Sequence, residues 1–326
     1  MDHAISPSKL CVAVAVCLSL LTVNLSVAQT TLRIGHFPNI THVQALVAHH
    51  LSRQGKGWFE ERLGRDIKIE WYVYYAGPSA VEAIFAKSID LTYVGPNPAI
   101  NAYVRSQGQE IRIVAGSVNG GSALVVHKGS PLKNAGDFRG KKIATPQFGN
   151  TQDVAARSWL AAGGLRIAQT GGDAQVVPTA NPDQLLLFKQ KQIDAVWTVE
   201  PWVSRLELEA DGQVLVEDRE AITTVLIARA DMLASQRGLV RKLVQAHREL
   251  TDWIVKNPPE AQRMAREELD EEMRTKFSPE LVAKAWDRIV VTGEVTLDSL
   301  KKFMASAQSV GFLRGAPDIS SLVASP

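Results

Sequence analysis

The most regular hydrophobic pattern in the chain lies late. Val240, Leu243, Val244, His247, Leu250, Thr251 and Ile254 recur at helical spacing and predict an amphipathic helix that Pro258-Pro259 would end. Ser278-Pro279-Glu280 predicts the start of another helix, and Leu297, Leu300, Phe303, Met304 and Ala307 predict a last one that stops near Gly311. His247 and Trp253 fall inside this pattern as core or boundary positions. Residues 122–127 and 223–229 read as strands. The rest of the chain is organised as strand, loop and helix start, and this unit recurs.

Three loop phrases occur twice. The first copy runs through residues 32–41, 75–79 and 89–98, and the second through residues 142–151, 179–183 and 193–201. Pro78 and Pro182 lie 104 positions apart, and so do Asp90 and Asp194, so the copies stay in register over two of the three phrases. Ser79 to Glu82 and Thr41 to Gln44 fit a capping box, while Pro182, Pro98 and Pro201 stand where a first helical turn tolerates proline. Two similar α/β lobes follow. Ligands of open α/β sheets bind at the carboxyl ends of the strands, so two facing lobes would gather these loops around one cleft. The expected domains are residues 29–122 for the first part of lobe 1, residues 123–223 for lobe 2, and residues 224–326 for a return strand and helices that complete lobe 1. Two chain crossings would make the hinge.

Composition narrows the class. Lys9 precedes an apolar run from Leu10 to Val23, and Ser26-Val27-Ala28 supplies small residues for cleavage after Ala28, so residues 1–28 read as a signal peptide and the mature protein as periplasmic. The run is shorter than the ~20 apolar residues of a spanning helix. Cys11 and Cys17, the only cysteines, fall inside that segment, which excludes thiol catalysis and disulfides from the mature chain. The large Val16 argues against a lipid-modified Cys17. A net charge of +2 gives no reason to expect nucleic acid. No cofactor and no metal are expected: His36, His42, His49 and His50 cluster in sequence, but no carboxylate at ligand spacing joins them, and His49 and His50 read as a solvated helix end.

The cleft loops offer neutral donors and hardly a Lys or Arg. Helix amino-termini can still hold an anion, because free backbone N–H groups and the aligned dipoles favour negative charge. The candidate ligand-binding residues in lobe 1 are His36, Asn39, Thr41, His42, Ser79, Asn97 and Ser122. In lobe 2 they are Gln147, Asn150, Thr151, Glu200 and Trp202. Ser79, Asn97 and Asn150 could instead cap their own helices, as could Asn181. Glu200, if it faces the cleft, would favour a ligand with an amine or hydroxyl; otherwise it complements its helix dipole.

The loops from Gly35 to His42, Ala76 to Ala80, Gly95 to Ala99, Ala144 to Gln152 and Glu200 to Trp202 resemble those of the periplasmic substrate-binding proteins of ABC importers for nitrate, taurine and aliphatic sulfonates. This resemblance implies a two-lobed periplasmic-binding-protein fold of the type II, Venus flytrap class. It also implies a monomer that captures a small anionic or zwitterionic solute and delivers it to a membrane permease driven by a cytoplasmic ATPase. No bond is made or broken in such a cycle. The loops show no arginine clamp for a strongly charged oxyanion, which leaves pyrimidines and other non-sulfonate ligands open. Enzymes of thiamine-pyrimidine or menaquinone pathways resemble the same scaffold, but the cysteine-rich iron motif of the former and a Gly-x-Ser-x-Gly elbow are both missing.

Overall fold

A computed structural model describes residues 29–324 apart from residues 65, 169 and 170, so the expected signal peptide lies outside the described residues. The chain opens with β1 (Thr30–His36), α1 (Val43–Arg53), α2 (Trp58–Leu63), β2 (Ile67–Val73), α3 (Gly77–Phe85), β3 (Leu91–Val94), α4 (Pro96–Arg105) and β4 (Ile111–Gly120). It crosses to a second sheet at β5 (Ser122–His127) and continues through β6 (Lys142–Thr145), α5 (Thr151–Ala162), β7 (Gln175–Pro178), α6 (Asn181–Lys189), β8 (Ala195–Val199), α7 (Trp202–Glu209) and β9 (Gly212–Glu217). It returns through β10 (Ile222–Arg229) to α8 (Ala230–Ser235), α9 (Arg237–Lys256), α10 (Pro258–Met273), α11 (Pro279–Trp286), β11 (Ile289–Val291) and α12 (Leu297–Ser309).

The two sheets share a plan. One runs β11-β4-β10-β3-β1-β2 and the other β7-β6-β8-β5-β9. In each, three parallel strands are followed by an antiparallel one that belongs to a lobe crossing, β10 in the first sheet and β5 in the second. The internal repeat has a physical cause at its two aspartates. Asp90 Oδ2 accepts the Arg33 backbone N–H at 2.9 Å, and Asp194 Oδ2 accepts that of Lys142 at 2.9 Å, so each acid ties the third strand of its lobe to the first.

Both sheets are covered on both faces, which is why their strands are apolar at successive positions. In β10, Val225 and Ile227 pack into one cluster while Leu226 and Ala228 pack into the other. In β5, Leu124 and Val126 face one way and Ala123 and Val125 the other. The first crossing turns at Gly120 and Gly121, both at φ +70°, a left-handed conformation that costs a side-chain residue energy. Gly120 N–H donates to Ala221 O at 2.8 Å, so the two crossings lie side by side.

The structure corrects several expectations at helix ends. The capping boxes are not formed: α3 is capped by Ala76 without a side-chain bond, and a short 3-10 turn over Ile40–His42 precedes α1. Pro258-Pro259 does end α9, but it also opens α10, because proline is tolerated in a first turn. This extra helix packs on α1. His49 and His50 are buried rather than solvated. The last helices do not serve lobe 1 alone, since α12 lies against both α4 and α5.

His247 on α9 is fully buried, with Nε2 donating to Gly116 O at 2.8 Å and Nδ1 accepting from the Tyr93 hydroxyl at 3.0 Å. Burial lowers its pKa from 6.5 to about 4. A lowered base leaves the unfolded chain holding more protons between these values, so this stabilisation is complete above pH 6.5 and is lost as pH falls to 4. The loss amounts to roughly 3 kcal/mol. Urea unfolding from pH 7 to 4 is expected to show it, and His247→Gln, which cannot titrate, is expected to flatten the profile; equal slopes in both proteins would contradict the assignment.

Candidate functional site

Helix starts define the site. The first turns of α3, α4, α5 and α6, two from each lobe, meet at one cavity through Ala76 and Gly77, Gly95 and Pro98, Asn150 to Gln152, and Asn181. Phe37, Asn39, Thr41 and His42 from the loop after β1 complete it, with Tyr75, Pro146, Val199 and Thr223. Ala76 and Ala180 cap α3 and α6 with no side-chain acceptor, so the N–H groups of Gly77, Ser79, Asn181 and Asp183 are left for another partner; α4 offers none, since Pro96 and Pro98 have no N–H and the Asn97 N–H donates to Thr151 Oγ1. The cavity measures about 30 Å³, where one water molecule needs about 10–15 Å³. Among the described residues no Lys, Arg, Asp or Glu lines it.

Burial and the nearby His36 hold the His42 pKa well below 6.5, so its ring is neutral at pH 7. The Phe37 N–H donates to His42 Nδ1 at 3.3 Å, which leaves the proton on Nε2 as a neutral donor. Thr41 is buried with its hydroxyl unpartnered among the described residues. Asn39 uses Oδ1 to accept from Trp202 Nε1 at 3.1 Å. These are uncharged groups beside uncapped helix ends, an arrangement that favours a small anion over a cation.

Of the twelve residues singled out in the sequence, Asn39, Thr41, His42, Asn150 and Thr151 line the cavity. Asn150 is also the helix cap, since its Oδ1 accepts from Asp153 N at 2.8 Å. Ser79 and Gln147 bond each other at the rim, 3.2 Å apart. Ser122 is held by Gln152 Nε2 at 3.3 Å. Asn97 lines a separate small pocket under α12 with Ile100, Val154 and Leu313, so its side chain is placed away from the site. His36 is buried beside Glu272 instead of facing the cleft. Tyr75, Gln152, Asn181 and Thr223 are the polar lining residues absent from the sequence-based set. Tyr75 and Asn181 stood in the repeated loops and Gln152 in a loop that carries the resemblance, but nothing in the local pattern marks Thr223, which enters from the return strand.

Glu200 does not line the cavity. Its carboxylate is fully buried and accepts from Ser204 N at 3.0 Å, Ser204 Oγ at 2.9 Å and Arg288 Nη1 at 3.1 Å. Burial pushes its pKa up to about 7 against those donors. Arg288, carried between α11 and β11, also reaches Glu207 at 2.8 Å, and Lys284 reaches Glu207 at 3.2 Å. Further bonds cross between lobes: Ile40 N–H to Glu200 O at 3.1 Å, Asn97 N–H to Thr151 Oγ1 at 3.4 Å, and a Phe148–Phe312 ring pair at 4.9 Å. The approach is close enough that a Cβ on Gly95 would collide with the Thr151 side chain. The lobes are shut.

The reason given for excluding a metal, the want of a carboxylate near the histidines, fails in three dimensions. The extra helix α10 brings Glu268 and Glu272 to His49, both 2.8–2.9 Å from its Nδ1, and Glu272 lies 3.0 Å from His36 Nε2. Burial pushes the Glu272 pKa up, but His36 and His49 outweigh it and bring it down to about 2.

Two sheets of this order, facing each other across a shut cleft with helix starts inside, define the two-lobed fold of periplasmic binding proteins. The model of the NMT1-like family matches residues 26–267, and the chain belongs to that family. A Brucella abortus (strain 2308) protein described only as a binding protein is 24% identical over 210 residues, 63% of this chain and 61% of its own length. The chain thus matches less than two thirds of that relative. The structure of the alkanesulfonate-binding protein SsuA from Xanthomonas axonopodis pv. citri bound to MOPS aligns with TM-score 0.68 at 20% identity, over 86% of this chain and 91% of that one. The periplasmic nitrate-binding protein NrtA from Synechocystis PCC 6803 aligns with TM-score 0.66 at 15% identity, over 88% and 83%. These likenesses show the fold. No helix of the described residues is long and apolar enough to cross a membrane.

Removing the Arg288 guanidinium leaves Glu200 buried without its cation, a loss of about 3–5 kcal/mol for a buried pair. Opening the cleft would rehydrate the carboxylate. Arg288→Ala is therefore expected to raise the radius of gyration in small-angle X-ray scattering and to weaken ligand binding at least tenfold; an unchanged radius in a folded variant would contradict a latch role.

Proposed function

We propose that this protein is the extracytoplasmic solute-binding component of an ABC importer, and that its solute is a small monoanion of the nitrate or short alkanesulfonate kind. One observation carries the reading: four helix starts converge from both lobes on a cavity with no charged side chain among the described residues, and two of them, α3 and α6, keep first-turn N–H groups without a side-chain cap. Each helix end contributes about 0.3–1 kcal/mol toward a negative charge, and up to ~2 kcal/mol where water is excluded. Neutral donors from Asn39, His42 and Thr151 would orient the ligand. With Glu200 turned away to Arg288, nothing on the wall favours an ammonium group, so a monoanion is preferred over a zwitterion such as taurine. A bare dianion would lack a compensating cation.

The ligand would make its contacts to both lobes only when they are shut, so binding shifts the population toward the closed form. That form would dock on a permease coupled to a cytoplasmic ATPase, with the binding protein acting as a monomer in the periplasm. The binding proteins among its relatives and the absence from the cavity of a nucleophile paired with a base support a role in capture rather than catalysis.

A thermal-shift series with nitrate, methanesulfonate, ethanesulfonate, taurine, sulfate, bicarbonate and a thiamine-pyrimidine precursor tests this. A monoanion at 100 times its dissociation constant is expected to stabilise the protein by roughly 2.7 kcal/mol, with taurine and sulfate weaker. Asn39→Ala and His42→Phe are each expected to weaken binding by about 1–3 kcal/mol, the cost of leaving a buried polar group unpaired. Stabilisation by the pyrimidine alone, or by no anion at all, would overturn the reading.

A further inference from the structure

We propose that lobe 1 holds a buried divalent transition-metal site of the zinc class, with His36, His49 and Glu272 as ligands and Glu268 as the fourth. The site stands apart from the ligand cavity and does not depend on what that cavity binds. His36 closes β1, His49 lies on α1, and the two acids are one turn apart on α10. The ligand atoms of His36, His49 and Glu272 all fall within 4.8 Å of one another. Glu268 Oε1 reaches His49 Nδ1 at 2.8 Å and Glu272 Oε1 reaches it at 2.9 Å. Zinc bonds of ~2.0–2.1 Å to nitrogen and oxygen set tetrahedral edges of about 3.3 Å, so the nitrogen–oxygen pairs now at 2.8–3.0 Å would widen by a few tenths of an ångström around the ion.

Hydrogen bonding alone leaves this cluster incomplete. His36 Nε2 stands 3.0 Å from Glu272 Oε1, yet no aligned hydrogen bond joins them, and Nε2 is a buried atom without a partner. Glu268 Oε2 and Glu272 Oε2 are likewise buried and unpartnered. The single proton of His49 Nδ1 faces two carboxylates at once. The side chains of His36, Glu268 and Glu272 are no more than 1% exposed, so these groups cannot turn to water. One divalent cation would neutralise both carboxylates and give the unpartnered His36 Nε2 a ligand, where protons alone require buried imidazolium ions. Two imidazoles with two carboxylates suit zinc better than calcium or magnesium, which favour all-oxygen shells.

Outer contacts already hold the ligands in place. His36 Nδ1 lies 3.4 Å from Phe37 O, Arg53 Nε donates to Glu268 Oε1 at 2.8 Å, and the Trp71 ring stacks on His49 at 5.3 Å. His49 keeps 11% side-chain exposure, which supplies an entry path. The ion would tie β1, α1 and α10 together at the residue just before the cavity loop that starts at Phe37.

The test uses the mature protein prepared without a polyhistidine tag. After treatment with a chelator, one equivalent of Zn²⁺ is expected to rebind and raise the unfolding midpoint, and Co²⁺ is expected to give the strong visible bands of a tetrahedral site. His49→Gln and Glu272→Gln are expected to abolish both responses while keeping cooperative unfolding. Should either variant fail to fold, the cobalt spectrum and metal content of the wild-type protein decide alone. Failure of the wild-type protein to bind stoichiometric Zn²⁺ or to give a tetrahedral Co²⁺ spectrum would overturn the proposal, as would undiminished binding by a folded variant.

Discussion

Unpaired helix N–H groups are the constraint on which this structure turns. A helix start buried without an acceptor is unfavourable, because its donors have left water and gained nothing. Here α3 and α6, one from each lobe, begin after Ala76 and Ala180, residues that have no side-chain acceptor to offer, and both begin at the same cavity as α4 and α5. The deficit is tolerable in an open cleft, where water serves. In a shut one it asks for an anion.

Closure has its own chemistry, kept separate from the cavity. The Glu200–Arg288 pair, the Trp202–Asn39 bond and the Phe148–Phe312 contact all join the lobes without a charged group entering the binding space. Asn39 belongs to both systems, since it lines the cavity and accepts from lobe 2. In the proposed function that double role would couple ligand contact to lobe position. The two crossings run side by side at Gly120 and Ala221, and each sheet on either side keeps its own two-sided core.

The repeated loops made two sheets legible, because Asp90 and Asp194 do the same work in each lobe and the spacing records it. Which loop residues face the cavity was less legible, since one residue of rotation decides it. Asn97 and Asn181 each stand just before a proline in a repeated loop, yet only Asn181 lines the cavity. The capping boxes misled because the helices start earlier than Ser79 and later than Thr41, and a backbone N–H offered by a loop leaves no mark in the side chains. Arg288 and α10 were hidden for a different reason. Both act across more than eighty positions of chain, Arg288 on Glu200 and α10 on His36 and His49, and α10 is so rich in Glu and Arg that its apolar stripe is thin.

The account stands on where the ligand's charge sits. A crystal structure of the mature protein with the most stabilising monoanion measures this directly. The account predicts the anionic group inside the cleft, within hydrogen-bond distance of backbone amides in the first turns of at least two of the four helices, with no Lys or Arg side chain touching it. An anion held by an arginine or lysine, or bound outside the interlobe cavity, would contradict it.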